Sequence, residues 1–201
     1  MKIVLASHNQ KKIAELRTLL REYIPDVEIL SLSDAGVEGE IVEDGTSFAE
    51  NALIKARAAA ASGYIGVGDD SGICVRALND APGIYSARYA GLDGDDQANL
   101  ELLLRNMENE TDRAAEFRCC IACVFPDGSE DIVVYGDVKG ELLYERAGEG
   151  GFGYDPIFYY PPFQKSFGEI PVEEKNKISH RAVALRAFAK ALQARMTCDK
   201  R

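Results

Sequence analysis

The sequence predicts an α/β fold in which helices cover a mixed β-sheet. Apolar runs of strand length alternate along the chain with segments of helical periodicity, which favours parallel strands joined by helices. Two long apolar stretches, residues 114–125 and 131–143, flank Pro126-Asp127-Gly128 and predict a hairpin. With 201 residues, 46% of them apolar, the chain is long enough to form one compact domain over residues 1–201, with two lobes.

The chain opens with a strand, a polar loop and a helix. Residues 3–6 are an apolar run, and residues 11–21 place Ile13, Leu16, Leu19 and Leu20 at helical spacing. Residues 27–30 predict a second strand, and the acidic, glycine-containing residues 31–45 predict a loop.

The middle of the chain predicts a helix followed by a strand. Ser47-x-x-Glu50 is a capping-box pattern that begins an alanine-rich helix extending to residue 61. Residues 64–67 predict a strand that ends at Gly68-Asp69-Asp70-Ser71-Gly72, and residues 73–75 continue in extended conformation.

The rest of the chain adds a turn, two helices and a glycine-rich loop. Ala81-Pro82-Gly83 indicates the turn, and residues 148–154 form the loop. Helices are expected over residues 96–107 and 179–194, the second with Ser179 as its N-cap.

Composition excludes several classes of function. The formal net charge of -10 argues against a nucleic-acid or anionic-membrane binder. No run is long and apolar enough to span a bilayer, and the apolar start is too short for a signal-peptide core, so we expect a cytoplasmic protein.

Five cysteines and two histidines limit the possible metal chemistry. Cys120 and Cys123 lie in a predicted strand and face opposite sides of it, which does not suit a zinc knuckle. We expect the cysteines to be small apolar core residues. A site with several histidines is excluded.

Two segments could carry phosphate chemistry. Ser7-His8-Asn9-Gln10-Lys11-Lys12 joins a strand to a helix and offers polar donors and a cation to phosphate oxygens, although an ordinary capped helix fits equally well. Glu43, Asp69 and Asp70 form a carboxylate set that suits Mg²⁺, and a solvated acidic turn is the alternative. Lys55, on the predicted helix, could face the same site, although a solvated helix lysine is favoured.

Two further segments could recognise a base. Gly150-Gly151-Phe152-Gly153-Tyr154-Asp155-Pro156 exposes backbone around an aromatic ring that could stack on a base, or could simply pack in the core. His180 and Arg181 stand at a predicted helix start, where positive charge is unfavourable without a compensating anion. A surface or capping role for His180 is the alternative.

Together these segments resemble the inosine triphosphate pyrophosphatase family, also called the XTP/dITP diphosphatases, over nearly the whole chain. The similarity is carried by Ser7-x-Asn9-x-x-Lys12, Phe48-x-Glu50-Asn51-Ala52, Asp69-Asp70-Ser71-Gly72, the segment Ala81-Pro82-Gly83-Ile84-Tyr85-Ser86-Ala87-Arg88-Tyr89, Gly151-Phe152-Gly153-Tyr154-Asp155-Pro156, and Ser179-His180-Arg181. The family's first motif usually starts Thr-Gly-Asn, and here it is Ser7-His8-Asn9.

The resemblance implies an elongated mixed sheet with two lobes around a central cleft, usually in a homodimer. It implies hydrolysis of ITP, dITP and XTP to the monophosphate and pyrophosphate, with Mg²⁺ as cofactor. The implied roles are triphosphate binding by residues 7–12, magnesium binding by Glu43 and Asp70, and proton acceptance by Asp70 or Asp69. The implied substrate contacts are Ser71, Phe152, Gly153, Tyr154, Asp155, Lys175, His180 and Arg181.

Three other functions fit parts of the sequence. A nucleotide sensor would keep the glycine-rich loop and the basic residues but would not need Asp69 and Asp70. A pyrophosphatase for modified pyrimidine nucleotides would differ in substrate. A purely structural protein would leave the clustered polar residues without a role.

Overall fold

The computed structural model describes residues 1–7, 10–91 and 94–198, apart from the side chains of Gln10, Lys11, Glu15 and Cys198. The strands in this part of the chain are β1 (Lys2–Leu5), β2 (Glu28–Ser31), β3 (Ile65–Val75), β4 (Ala114–Val124), β5 (Ile132–Leu142), β6 (Phe158–Tyr160) and β7 (Lys165–Ser166). The α-helices are α1 (Gln10–Tyr23), α2 (Phe48–Ala60), α3 (Asp96–Asn106), α4 (Val172–Ile178) and α5 (His180–Cys198).

The strands form one mixed sheet in the order β2-β1-β3-β4-β5-β6-β7. Strand β1 pairs in parallel with both β2 and β3, whereas β6 is antiparallel to β5 and to β7. The predicted fold class, a mixed sheet with helices, is therefore confirmed.

The chain divides into two compact units. Unit 1 comprises Met1–Asp70, Cys119–Gly136 and Val183–Arg201, and unit 2 comprises Ser71–Arg118 and Asp137–Ala182. None of the helices described has the length and hydropathy needed to cross a membrane.

The core of unit 1 lies on both faces of β4. Cys119 and Cys123 pack with residues of α1 and α5, such as Leu16 and Phe188. Cys120 belongs to a separate cluster that contains the α2 alanines. The four cysteines whose side chains are described are buried thiols, so the prediction that they are small core residues is confirmed, and Cys120 and Cys123 lie in clusters on opposite faces of the strand as predicted.

Helix α2 lies against β3 at very short range. A Cβ atom added at Gly66 would stand 2.1 Å from the Ala56 carbonyl oxygen, and one at Gly68 would stand 2.2 Å from that of Ala52. Only glycine permits this backbone approach. The approach fixes the first two turns of α2 beside the residues that follow Gly68 on the same strand.

The core of unit 2 is aromatic. Phe117, Phe158 and Phe167 pack against one another with ring centroids 4.6 to 5.9 Å apart. Ser86 links two other segments, since its hydroxyl accepts from the Ile73 backbone N–H (3.0 Å) and its carbonyl accepts from the Tyr154 hydroxyl (2.8 Å). The segment containing Ser86 therefore has a structural role within unit 2.

Two sequence predictions need correction. Strand β3 runs without a break through the Gly-Asp-Asp-Ser-Gly segment, so the acidic pair is inside a strand and not at its end. Helix α4 was not predicted: it is only 7 residues long and begins after Pro171. Helix α5 was predicted, and the Ser179 hydroxyl caps it by accepting from the Ala182 backbone N–H at 3.2 Å.

Candidate active site

In unit 1, Lys12 of α1 pairs with Asp69 of β3. The Lys12 Nζ atom lies 3.0 Å from one carboxylate oxygen of Asp69 and 3.2 Å from the other. Asp69 is 5% exposed, whereas a quarter of the Lys12 side chain remains accessible. A cation in the first turn of α1 is thus held beside a buried carboxylate and still reaches solvent.

The next residue, Asp70, pairs with the other helix. Lys55 of α2 donates to Glu43 over 2.7 Å and to Asp70 over 3.4 Å. Lys55 is only 8% exposed, so the prediction that it is a solvated helix residue was wrong. Its stem is buried by the close approach of α2 to β3, and its ammonium joins two carboxylates.

Asn51 completes this group one helical turn before Lys55. Its amide Nδ2 donates to Asp70 over 3.1 Å, and its Oδ1 accepts from the Gly45 backbone N–H over 2.9 Å. Asn51 is 1% exposed. We call these six residues, Lys12, Glu43, Asn51, Lys55, Asp69 and Asp70, the carboxylate cluster.

Asp69 and Asp70 point to opposite faces of β3. Successive side chains alternate along a strand, and the different helices that hold the two residues agree with this alternation. Asp70 shares its face with Gly68, against α2, and Asp69 shares its face with Val67, which packs in the α1 core. The two carboxylates therefore do not form a single side-by-side pair.

Burial sets the protonation of this group. It raises the pKa of Asp70, an effect that Lys55 and the Asn51 hydrogen bond oppose and that the neighbouring Glu43 and Asp69 reinforce. For Lys55, burial lowers the pKa, but Asp70, Asp69 and Glu43 together raise it above the ordinary value. Lys55 therefore remains charged, and Asp70 is a stronger base than an ordinary aspartate.

The donor set of the cluster fits a magnesium ion. Glu43 and Asp70 supply carboxylate oxygens that already converge on one cation, the Lys55 ammonium. Among the described residues, no group of three or more His, Cys, Asp or Glu side chains is arranged to hold a metal by itself. Mg²⁺ takes one or two carboxylates together with water and phosphate oxygens, so Glu43 and Asp70 would suit it.

In unit 2, Asp155 organises the glycine-rich loop. Its Oδ2 accepts from the Phe152 backbone N–H over 2.8 Å and from the buried Lys175 ammonium. A Cβ atom at Gly151, whose φ is +79°, would lie 2.2 Å from the same oxygen, so this position requires glycine. We call Phe152, Asp155 and Lys175 the Asp155 cluster.

Phe152 is presented outward by this cluster. Phe152 is 50% exposed, and the Lys175 Nζ atom lies 4.6 Å from the centroid of its ring. The alternative that the ring is tucked into the core is therefore wrong. Gly153 donates its N–H to Asp96 at the start of α3 over 2.8 Å, which fixes the far side of the loop.

The start of α5 places two cationic candidates in unit 2. The His180 ring stacks on Phe117 with a centroid distance of 4.7 Å and an interplanar angle of 11°. The Arg181 guanidinium donates to the Ser71 hydroxyl over 3.3 Å. Both residues are less than a tenth exposed, so their orientation is fixed by packing before any ligand is present.

The sequence-predicted residues fall into three sets. Unit 1 brings together Lys12, Glu43, Asp69 and Asp70, and Ser7 precedes them at the end of β1. Unit 2 brings together Phe152, Gly153, Tyr154, Asp155 and Lys175, and separately Ser71, Arg181 and His180. His8, Asn9 and the side chains of Gln10 and Lys11 lie outside the described part of the chain.

Sequence reasoning missed the contributions of Asn51 and Asp96, and it ranked a place for Lys55 in the site below a solvated position. Asn51 and Lys55 are separated by four residues, which places both on one face of α2, and that spacing was a usable signal. Asp96 is distant in sequence from the loop it holds, and no local pattern indicates the contact.

Comparison with known proteins gives a consistent result. The Ham1 family profile matches residues 3–191 of this chain. A dITP/XTP pyrophosphatase of Leuconostoc mesenteroides subsp. mesenteroides is 45% identical over 197 residues, 96% of each chain. A dITP/XTP pyrophosphatase of Streptomyces coelicolor is 47% identical and covers 93% of this chain and 94% of its own.

A solved structure extends the similarity to three dimensions. The structure of a HAM1 protein from Coxiella burnetii superposes with a TM-score of 0.90 at 40% sequence identity. The superposition covers 96% of this chain and 99% of that one. Sequence and fold thus agree over almost the full length of both chains.

Proposed function

We propose that this chain, which belongs to the Ham1 family, hydrolyses ITP, dITP and XTP to the nucleoside monophosphate and pyrophosphate. The observation that carries the proposal is the carboxylate cluster, in which two lysines and three carboxylates surround the centre of β3. Residues 1–201 act as one catalytic domain in this proposal, and the reaction removes non-standard purine nucleotides from the nucleotide pool.

The triphosphate is bound by residues 7–12 and by the lysines of the carboxylate cluster. Helix α1 begins at Gln10, so its first backbone N–H groups and dipole favour an anion there. Lys12 is accessible enough to exchange part of its contact with Asp69 for a phosphate oxygen.

Magnesium is held by Asp70 and Glu43 in this proposal, together with phosphate oxygens of the substrate. A bound Mg²⁺ supplies positive charge at those oxygens and orients them for displacement. Lys55 keeps the two carboxylates at one place before the ion arrives, because its ammonium contacts both of them.

Asp70 accepts the proton of the attacking water. Burial raises its pKa, which makes its carboxylate a better base than an exposed aspartate. Water attacks the α-phosphorus and pyrophosphate leaves in line, so no phospho-enzyme is formed. Asp69 holds Lys12 on the other face of β3 and is the second candidate for proton acceptance.

The purine base is recognised by residues of unit 2. The exposed ring of Phe152 stacks on the base, and the backbone of Gly153 and Tyr154 borders it. Lys175, His180 and Arg181 are donors that favour the purine 6-oxygen, and Asp155 and Ser71 keep Lys175 and Arg181 oriented.

This donor set explains the expected selectivity. Hypoxanthine and xanthine carry an acceptor oxygen at the position where adenine carries an amino donor. The amino group of adenine would therefore face protein groups that are themselves donors, which disfavours its binding. Guanine shares the oxygen and is rejected through its 2-amino group. A buried mismatch of this kind is worth about a thousandfold in kcat/KM.

The dimeric assembly is proposed on the resemblance alone. We propose a cytoplasmic homodimer whose partners are nucleotide substrates, without nucleic acid or membrane. The net charge of -10 supports the exclusion of nucleic acid.

The bond that is cleaved provides the test of this function. In ¹⁸O-labelled water with Mg²⁺, ITP should yield labelled IMP and unlabelled pyrophosphate, and removal of Mg²⁺ by a chelator should stop the reaction. Release of IDP and labelled inorganic phosphate would overturn the proposal, as would tight ITP binding without cleavage.

A further inference from the structure

The Asn51 side chain joins the loop that carries Glu43 to the strand that carries Asp70, beside the Lys55 ammonium that contacts both carboxylates. Its carbonyl oxygen accepts from the Gly45 N–H, two residues after Glu43, and its amino group donates to Asp70. Asn51 is 1% exposed, so neither hydrogen bond competes with bulk water. Because the carbonyl side is committed to Gly45, the amino side must face Asp70.

The contacts at the start of α2 hold the same loop but do not reach Asp70. The Glu50 carboxylate accepts from the Thr46 backbone N–H (2.6 Å) and hydroxyl (2.7 Å), and the Ser47 hydroxyl caps α2 by accepting from the Glu50 N–H (3.2 Å). These contacts fix the loop to the start of the helix. Asn51 in addition holds Oδ2 of Asp70, and Oδ1 of Asp70 lies 3.4 Å from the Lys55 ammonium.

From this geometry we propose that Asn51 is a positioning residue that holds Glu43 and Asp70 in register for one divalent cation. The inference rests on the proposed function for the identity of the ion and of its two ligands. Residues that orient metal ligands typically change metal affinity or activity by about 10- to 100-fold when they are replaced. In this role Asn51 acts through Gly45 and Asp70, the two residues that it contacts.

The chain offers a matched control in unit 2. Asn99 of α3 is also 1% exposed, accepts from the Ala90 N–H over 2.7 Å and donates to the Ala87 carbonyl over 2.9 Å. Asn51→Ala and Asn99→Ala therefore remove the same number of hydrogen bonds from equally buried sites. A merely structural role predicts similar losses of stability and no difference in metal binding.

The experiment measures Mn²⁺ binding to the free protein by electron paramagnetic resonance, together with thermal unfolding. We expect Asn51→Ala to weaken Mn²⁺ binding about tenfold, whereas Asn99→Ala matches the wild type. In the turnover of ITP, Asn51→Ala should raise the half-saturating Mg²⁺ concentration to a similar extent. The thermal melts verify that the variants are folded under the assay conditions.

A second variant tests the loop side of the link. A Cβ atom at Gly45 would lie 2.6 Å from the Asn51 Oδ1, 2.8 Å from the Glu50 Cβ and 2.9 Å from the Asn51 backbone N. Gly45→Ala therefore disturbs the loop side of the link but keeps the Asn51 side chain that donates to Asp70. We expect an intermediate loss of Mn²⁺ affinity, and less than additive loss when Gly45→Ala is combined with Asn51→Ala.

Three outcomes overturn the inference: Asn51→Ala binds Mn²⁺ within twofold of the wild type, Asn99→Ala loses as much affinity as Asn51→Ala, or the wild type takes up no Mn²⁺. The proposed hydrolysis fails by a separate result, the absence of pyrophosphate release from ITP by the wild type. The two failures are therefore distinguishable.

Discussion

Asp69 and Asp70 are consecutive residues of β3, yet each is held by a lysine from a different helix. Lys12 of α1 lies 3.0 Å from Asp69, and Lys55 of α2 lies 3.4 Å from Asp70. Since strand side chains alternate, the two carboxylates occupy opposite faces of the sheet. Lys55 contacts both Glu43 and Asp70, so these two carboxylates are on the same face of the sheet. The two aspartates should therefore contribute unequally to catalysis.

Replacing Asp70 by Asn should lower kcat for ITP by about 10²- to 10⁴-fold, because the general base is lost. Asp69→Asn should cause a smaller loss, because Asp69 is on the face away from Glu43 and acts through Lys12. Pyrophosphate release measures both variants, and thermal unfolding verifies that they are folded. An Asp70→Asn protein with near-normal turnover would remove Asp70 from the mechanism.

Lys55→Met should destabilise the protein by about 3 kcal/mol, because removing one partner of a buried ion pair leaves Asp70 and Glu43 uncompensated. Added Mg²⁺ should restore part of this stability, since a ligand that binds only the folded state stabilises it. Urea unfolding with and without Mg²⁺ measures both effects. Lys190, which is exposed on α5, is the control: Lys190→Met should change stability by less than about 0.5 kcal/mol.

Phe152→Ala should raise the KM for ITP about tenfold with little change in stability, because the ring is half exposed and its proposed contact is stacking on the base. Steady-state kinetics and thermal unfolding separate these effects. Phe163 is 40% exposed in the same unit, and Phe163→Ala should leave the KM unchanged. An unchanged KM for Phe152→Ala would show that the base does not stack there.

The buried thiols should be unreactive in the native protein. Burial raises the pKa of Cys74 to about 11 and that of Cys123 to about 12, from an ordinary value of 9.0. In a Cys198→Ser variant at about pH 8, a thiol reagent should label none of the four remaining cysteines before unfolding and all of them in denaturant. Rapid labelling of the native variant would contradict their burial.

The same shifts give a pH dependence of stability. The folded state binds these thiol protons more tightly than the unfolded chain does, so their contribution is complete below pH 9.0 and is lost as pH rises towards about 11 and 12. Urea unfolding across this range should show a falling free energy of unfolding. Cys123→Ala should make that decline shallower, and an unchanged slope would argue against the shifted pKa.

Much of the fold could be predicted from the sequence because its signals are local. The helical spacing of Leu16 and Leu20, the capping residues Ser47 and Ser179, and the alternation of Cys120 and Cys123 depend only on neighbouring residues. Each of these features has the predicted structure. The residues that surround the aspartates were harder to predict, because they come together from separate elements.

The Gly-Asp-Asp-Ser-Gly segment shows why. The composition of this segment is typical of a turn. In the structure, position 68 is a glycine because α2 packs directly against the strand at that point. The buried carboxylates are tolerated because Lys12 and Lys55 neutralise their charge. Both reasons require knowledge of the tertiary structure. The burial of Lys55 follows from the same packing, which is why its local helical context was misleading.

The ratio of kcat/KM for ITP to that for ATP, measured as pyrophosphate release in Mg²⁺, tests the central claim most directly. If donors of unit 2 bind the purine 6-oxygen and the carboxylate cluster promotes hydrolysis of the triphosphate, kcat/KM for ITP should exceed that for ATP by about a thousandfold. Equal values for the two nucleotides would contradict the account.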